Sequence, residues 1–127
     1  MRLAEMLAYV DLLRPNQYNE TQKVGWLSEI ESRIVDEIIN AAQKPEGEQD
    51  ETFTGYNPET DEERTLKAGD RFKDVYAYYI IAKIDMYDGD LEEYNNAVAQ
   101  FQGAYDEFAA WYRRNNMPKR KAYFRGW

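Results

Sequence analysis

The chain has 127 residues, no cysteine and no histidine, and its 16 Lys and Arg against 24 Asp and Glu leave a formal charge of −8. That length suits one domain, and the missing residue types exclude disulfide frameworks, cysteine nucleophiles, Cys or His zinc sites and imidazole acid–base chemistry. A hydrophobic fraction of 43% with 15% aromatics exceeds what a disordered acidic chain carries, so a packed core is expected. No apolar run approaches the roughly 20 residues that span a bilayer, and the start lacks a charged-then-apolar leader, so the chain reads as soluble, unexported and without a membrane partner.

In chain order, Leu3, Met6, Leu7, Val10 and Leu13 recur at three- and four-residue spacing and predict an amphipathic helix from about Arg2 until Pro15 stops it. Asn19 is placed to cap a second helix through Gln22, which then presents Val24, Leu27, Ile30, Ile34, Ile38 and Ala41 on one stripe, widened by Trp26 and Val35. Gly25 in that helix costs up to about 1 kcal/mol relative to alanine. Either a close helix approach or a later start near Trp26 accounts for it.

From Lys44 to Gly69 the helical pattern stops, and Glu46, Glu48, Asp50, Glu51, Glu59, Asp61, Glu62 and Glu63 follow one another with no base between them. Connections this long inside a small domain tend to be functional or disordered. Phe53, Tyr56 and Pro58 favour function, and the alternation over 52–56 permits a short extended arm able to add to a neighbouring subunit. A mobile solvated loop is the other reading.

Asp70 is placed to cap a third helix bearing Phe72, Val75, Tyr76, Tyr79, Ile80, Ala82 and Ile84, with Tyr78 and Ile81 apolar on the other side. A helix apolar nearly all round is buried on several sides. Gly89 then marks a stop and Asp90 the next N-cap, with Glu93 completing a capping box. The fourth helix, to about Asn115, carries Leu91, Tyr94, Val98, Phe101, Tyr105, Phe108 and Tyr112 in register, with acids in its first turn and Arg113 and Arg114 in its last. The expected fold is all-α: a small antiparallel bundle of about four helices over residues 1–118, with one long acidic loop or arm at 44–69 and an extended C-terminal tail at 119–127.

Charge is unevenly divided. Residues 1–112 hold all 24 acids and 10 bases, a net of −14, whereas residues 113–127 hold six bases and no acid. In the tail Lys119, Arg120, Lys121 and Arg125 are interleaved with Tyr123, Phe124 and Trp127, a mixture suited to gripping nucleic acid or an acidic protein surface. The bland alternative is a frayed, solvated end.

Carboxylate pairs are the one catalytic raw material in quantity. Asp36/Glu37, Asp85/Asp88 and Glu92/Glu93 are numerous enough to arise by chance as solvated faces and caps, so no glycosidase site is read from them. A di-iron bundle needs Glu-x-x-His, which this chain lacks. Aligning Gly89 with the invariant glycine of a calcium loop puts Ile84 and Met86 where oxygen ligands belong. No catalytic residue, cofactor or metal site is assigned, and the chain is read as a non-enzyme.

The stretch from Asp74-Val75-Tyr76-Ala77-Tyr78-Tyr79-Ile80-Ile81-Ala82-Lys83-Ile84-Asp85 through Gly89-Asp90, Tyr94-Asn95-Asn96 and Phe101 to 105–114 resembles the head-to-tail connector proteins of tailed bacteriophages, the head-completion or adaptor proteins. The resemblance covers about residues 70–118 and extends loosely over 1–43; residues 44–69 do not match. It implies a non-enzymatic helical subunit in a ring, usually of about twelve copies, beneath the portal and around the DNA channel of the virion neck, assembled in the host cytoplasm. It implies partners in the portal protein and in a neck, stopper or tail-completion protein, with DNA passing through unread. On that footing Lys119, Arg120, Lys121, Tyr123, Phe124, Arg125 and Trp127 form the portal-docking peptide. Glu48, Asp50, Glu51, Phe53, Tyr56, Glu59, Asp61, Glu62 and Glu63 become an inter-subunit or channel-lining loop.

A competing reading is a soluble acidic binding module that mimics DNA or sequesters a basic partner. A nucleic-acid binder using the tail must explain a −14 body beside the DNA, which long-range electrostatics disfavours.

Overall fold

The computed structural model describes residues 1–42 and 49–116. Its helices are α1 (Leu3–Leu13), α2 (Glu20–Ile34), α3 (Lys73–Asp88) and α4 (Leu91–Asn115); α2 runs on into a π-helical turn, Val35–Ile39, and a short 3₁₀ turn, Asp70–Phe72, leads into α3. No strand occurs among the described residues. A single antiparallel bridge joins Arg2 to Thr65, so the expected arm is an irregular strap.

Most of the predicted ends have their predicted chemistry. Asn19 Oδ1 accepts from the Gln22 amide at 2.8 Å. Gly25 is exposed and a Cβ there would meet nothing within 4 Å, so the close-approach explanation for it fails; the helix simply tolerates it because it begins well upstream. Asp90 Oδ1 accepts from the Glu93 amide at 3.1 Å. Two local expectations are overturned. Asp70 does not cap α3, because its carboxylate is drawn to the Met1 amino group and the 3₁₀ turn intervenes. Glu93 does not close a capping box, because the Asp90 amide already bonds the Asp85 carbonyl and the Glu93 carboxylate goes to Arg14.

The sharp α3–α4 reversal rests on Gly89, whose φ of 79° is left-handed. The Asp90 and Gly89 amides bond the Asp85 and Met86 carbonyls, which satisfies the last acceptors of α3 in a Schellman arrangement. α3 lies at the centre against the other three helices, as its all-round apolar surface requires, with Val75, Tyr76, Ile80, Ile81 and Ile84 buried. Each such side chain contributes about 1.5–3 kcal/mol of burial. From α4, Phe101, Tyr105 and Phe108 complete the core, whereas Leu91 stays 70% exposed although it shares their stripe.

The π turn has its own effect. One extra residue in the turn lets Val35, Ile38 and Ile39 all reach the core, and Ala41, in register with the stripe, is left exposed. The wider turn also brings Glu37 to the Tyr105 hydroxyl of α4.

Candidate functional site

The predicted loop packs onto its own subunit. Glu31, in the middle of α2, is fully buried and accepts from the Tyr56 hydroxyl at 2.5 Å, the Tyr76 hydroxyl at 2.7 Å and the Lys67 amide at 3.1 Å. The Tyr76 oxygen in turn accepts from the Ala68 amide at 2.8 Å. A buried carboxylate with three donors is satisfied, so it acts as the peg on which the strap hangs. Burial and the Glu31 charge push both tyrosine hydroxyls far above their ordinary titration range, which keeps them protonated as donors.

Further ties run along the strap. The Leu3 and Ala4 amides bond the Arg64 and Glu62 carbonyls at 2.9 and 3.0 Å, and the Leu66 amide bonds the Met1 carbonyl at 2.9 Å. Asn40 and the Glu51 backbone exchange two hydrogen bonds. Phe53 is half-buried with its ring edge-on to Tyr56. The aromatic members of the predicted loop site therefore serve the subunit's own core, and its acids form the outer edge. Among them Glu51 pairs with Lys67 at 2.7 Å, Asp61 with Arg64 at 3.6 Å, and Glu63 with Arg2. Asp50, Glu59 and Glu62 are also exposed. Glu48 lies outside the described residues, as do Lys119, Arg120, Lys121, Tyr123, Phe124, Arg125 and Trp127 of the predicted docking tail.

A second surface was not marked by the sequence reading. The large hydrophobic side chains that stand exposed among the described residues are Leu12, Leu13, Met86, Tyr87 and Leu91. All belong to one end of the bundle, where α1 finishes and α3 turns into α4. Arg14 ties that end together: its guanidinium donates to Asp85 Oδ1 at 2.9 Å and to Glu93 Oε2 at 3.2 Å. Tyr87 stacks on Trp26 at 5.6 Å, and the Tyr18 hydroxyl donates to Asp88 at 2.7 Å. Asp85 is buried; that burial raises its carboxyl above the ordinary value against the pull of Arg14, and its Oδ2 has no partner among the described residues. The sequence signal was present in Leu12-Leu13 and Met86-Tyr87, apolar pairs that overrun one helix face.

A further feature is an open cleft of about 260 Å³ between α3 and α4, lined by Tyr79, Met86, Val98 and Phe101 together with Arg33 and Lys83. Both cations are engaged: Arg33 with Glu37 and over the Tyr105 ring, Lys83 with Glu29. Of the carboxylate pairs weighed above, Glu37 is held below its ordinary value by the Tyr105 hydroxyl and by Arg33, and Asp85 is locked to Arg14. No group of three or more acidic side chains among the described residues is placed to hold a metal ion, and no described helix is long and apolar enough to cross a membrane. Comparison with protein-family models, curated proteins and solved structures gave no match.

Proposed function

We propose that this chain is a structural subunit of a tailed-phage head-to-tail junction, an adaptor that assembles into a ring of about twelve copies beneath the portal, with DNA passing through the ring. The observation that carries the reading is the exposed apolar end. Monomeric proteins scatter single apolar side chains over their surface, whereas a gathered patch rimmed by polar groups marks a protein contact. Here five large apolar side chains share one end of a bundle whose core is otherwise well closed. The resemblance of residues 70–118 to the connector proteins points to the same kind of assembly.

The outward carboxylates of the strap suit the wall of a DNA channel. A negative lumen repels phosphates and keeps DNA moving, whereas a basic one binds it. Strap carboxylates on the ring's outer surface would exclude that role.

The test is the mass of the purified protein, alone and mixed with the portal of the same phage, by light scattering coupled to size exclusion. A ring, or a stable complex with the portal, is expected. A monomer indifferent to the portal would instead favour an acidic module that captures a basic partner.

A further inference from the structure

We propose that residues 117–127 of one copy dock on the apolar, acid-rimmed end of the next copy's bundle, making the head-to-tail contact through which the chain assembles. The inference deepens the ring reading and rests on it for closure, but the contact itself is argued from this chain alone.

The receiving surface has two properties together. Leu12 and Leu91 are 79% and 70% exposed, Tyr87 is exposed at the end of α3, and the α3–α4 turn adds the exposed carboxylates Asp88, Asp90 and Glu92 and the partly exposed Glu93. The cations tied in at this end, Arg14 and Lys23, are committed to Asp85 and Glu93 and to Asp11. A ligand for such a surface needs large apolar groups and positive charge in one short stretch. One segment of the chain has that composition: Lys119, Arg120, Lys121 and Arg125 alternate with Tyr123, Phe124 and Trp127, with no acid among them.

The other surfaces fit that segment poorly. The α3–α4 cleft carries Arg33 and Lys83, each already paired with a carboxylate, so it offers a cationic segment no surplus of negative charge. The strap offers carboxylates, but its own Phe53 and Tyr56 are turned into the body, so it lacks apolar surface for three aromatic rings.

Reach decides between the same copy and a neighbour. Leu91 opens α4 and Asn115 closes it, and 25 helical residues span about 37 Å. The seven and eight residues from Asn116 to Tyr123 and Phe124 extend at most about 25 and 29 Å, and the eleven to Trp127 at most about 40 Å. Tyr123 and Phe124 therefore fall short of Leu91 of their own copy, and Trp127 spans the distance only with the segment fully stretched, so a second copy is the one that can take the three rings together. Placed on a second copy, the contact is heterologous, with different patches on the two sides, and such contacts repeat into rings or open filaments.

The test uses two full-length variants. The end variant carries Leu12→Asp and Leu91→Asp; the tail variant carries Tyr123→Ser, Phe124→Ser and Trp127→Ser. Wild-type protein is expected to form a large assembly and each variant alone to be a 15.0 kDa monomer by sedimentation. An equal mixture is expected to give a dimer and nothing larger, because one intact tail and one intact end remain. Raising salt from about 0.1 M to 1 M should weaken that dimer, since screening acts on its charged rim. Unchanged melting by circular dichroism confirms that the variants fold. Should the end variant melt early, Glu92→Lys replaces it; that variant alone should self-assemble at least tenfold more weakly than wild type, while its intact tail still joins the tail variant.

A mixture that stays monomeric overturns the contact. A tail variant that assembles like wild type but no longer joins the portal assigns the segment to the portal instead. A wild-type protein as monomeric as its tail variant also overturns the proposal. If the mixed dimer forms while wild type ignores the portal, the contact stands and the adaptor reading fails.

Discussion

Glu31 shows how much one side chain organises. Its two oxygens receive three donors contributed by the strap and α3, so the strap is attached through a charge that water does not reach. Replacing it by alanine leaves two hydroxyls and a backbone amide without their acceptor, and each unsatisfied buried group costs about 1–3 kcal/mol. Glu31→Ala should therefore lose at least about 3 kcal/mol in urea denaturation, and Tyr56→Phe about 1–2. A loss within about 0.5 kcal/mol for Glu31→Ala would mean the strap is held elsewhere. Glu37 supplies a pH test. The Tyr105 hydroxyl and Arg33 hold it below its ordinary 4.5, so the fold favours its charged form. The stabilisation is complete above about pH 4.5 and is lost as pH falls through the lowered value. The melting difference between wild type and Glu37→Gln should thus be full at neutral pH and narrow towards about pH 3. A difference that stays constant or widens on acidification would contradict this. Glu31 carries no signal of its own in the sequence, and Glu37 stands out there only as half of the Asp36/Glu37 pair, whose occurrence chance explains. In a chain with 24 acids, residue type does not separate a buried acceptor from a solvated face; what separates them is Tyr56, 25 positions away.

The helices themselves were legible because hydrophobic period and end chemistry agree. Asn19, Gly89 and Asp90 each act at the ends assigned to them, and four of the five α1 stripe residues are buried. The failures lie where the packing of the whole fold, and not the local pattern, decides the outcome. Leu13 and Leu91 follow the stripe but lie at helix ends where the body stops covering it. The π turn is equally hidden, since its register slip is set by packing of Val35, Ile38 and Ile39 and by Tyr105 on α4, none of which has a local signature. Within the regular part of α4 the pattern does predict energy. Phe108 is 1% exposed and packs against Phe72 at 5.0 Å, so Phe108→Ala should destabilise the bundle by about 3–5 kcal/mol in the same urea assay. A negligible loss would place that ring against a partner instead.

At the scale of the whole molecule the chain closes on itself. The strap passes from the end of α2 back to the first turn of α1, so α1 is clasped by residues about 60 positions later. The amides of Leu3, Ala4 and Leu66 should therefore exchange with solvent as one group, and Tyr56→Ala should speed all three together while leaving the core of α4 slower. Independent acceleration of Leu66 alone would show that the strap opens without α1. This clasp could not be read from residues 44–69, because irregular backbone has no period and its partners are carbonyls and amides that any sequence provides. The same clasp changes what α1 offers to a passing polyanion. The start of a helix ordinarily presents free amides and a partial positive charge, a natural seat for phosphate. Here the Leu3 and Ala4 amides are already taken by the strap's carbonyls, with Glu5, Glu62 and Glu63 standing around them. That pole of the bundle offers a nucleic-acid backbone neither of those amides, and the cations beside them, Arg2 and Arg64, are already paired with Glu5, Glu63 and Asp61, so a phosphate sliding past would have to displace a carboxylate to gain a hold.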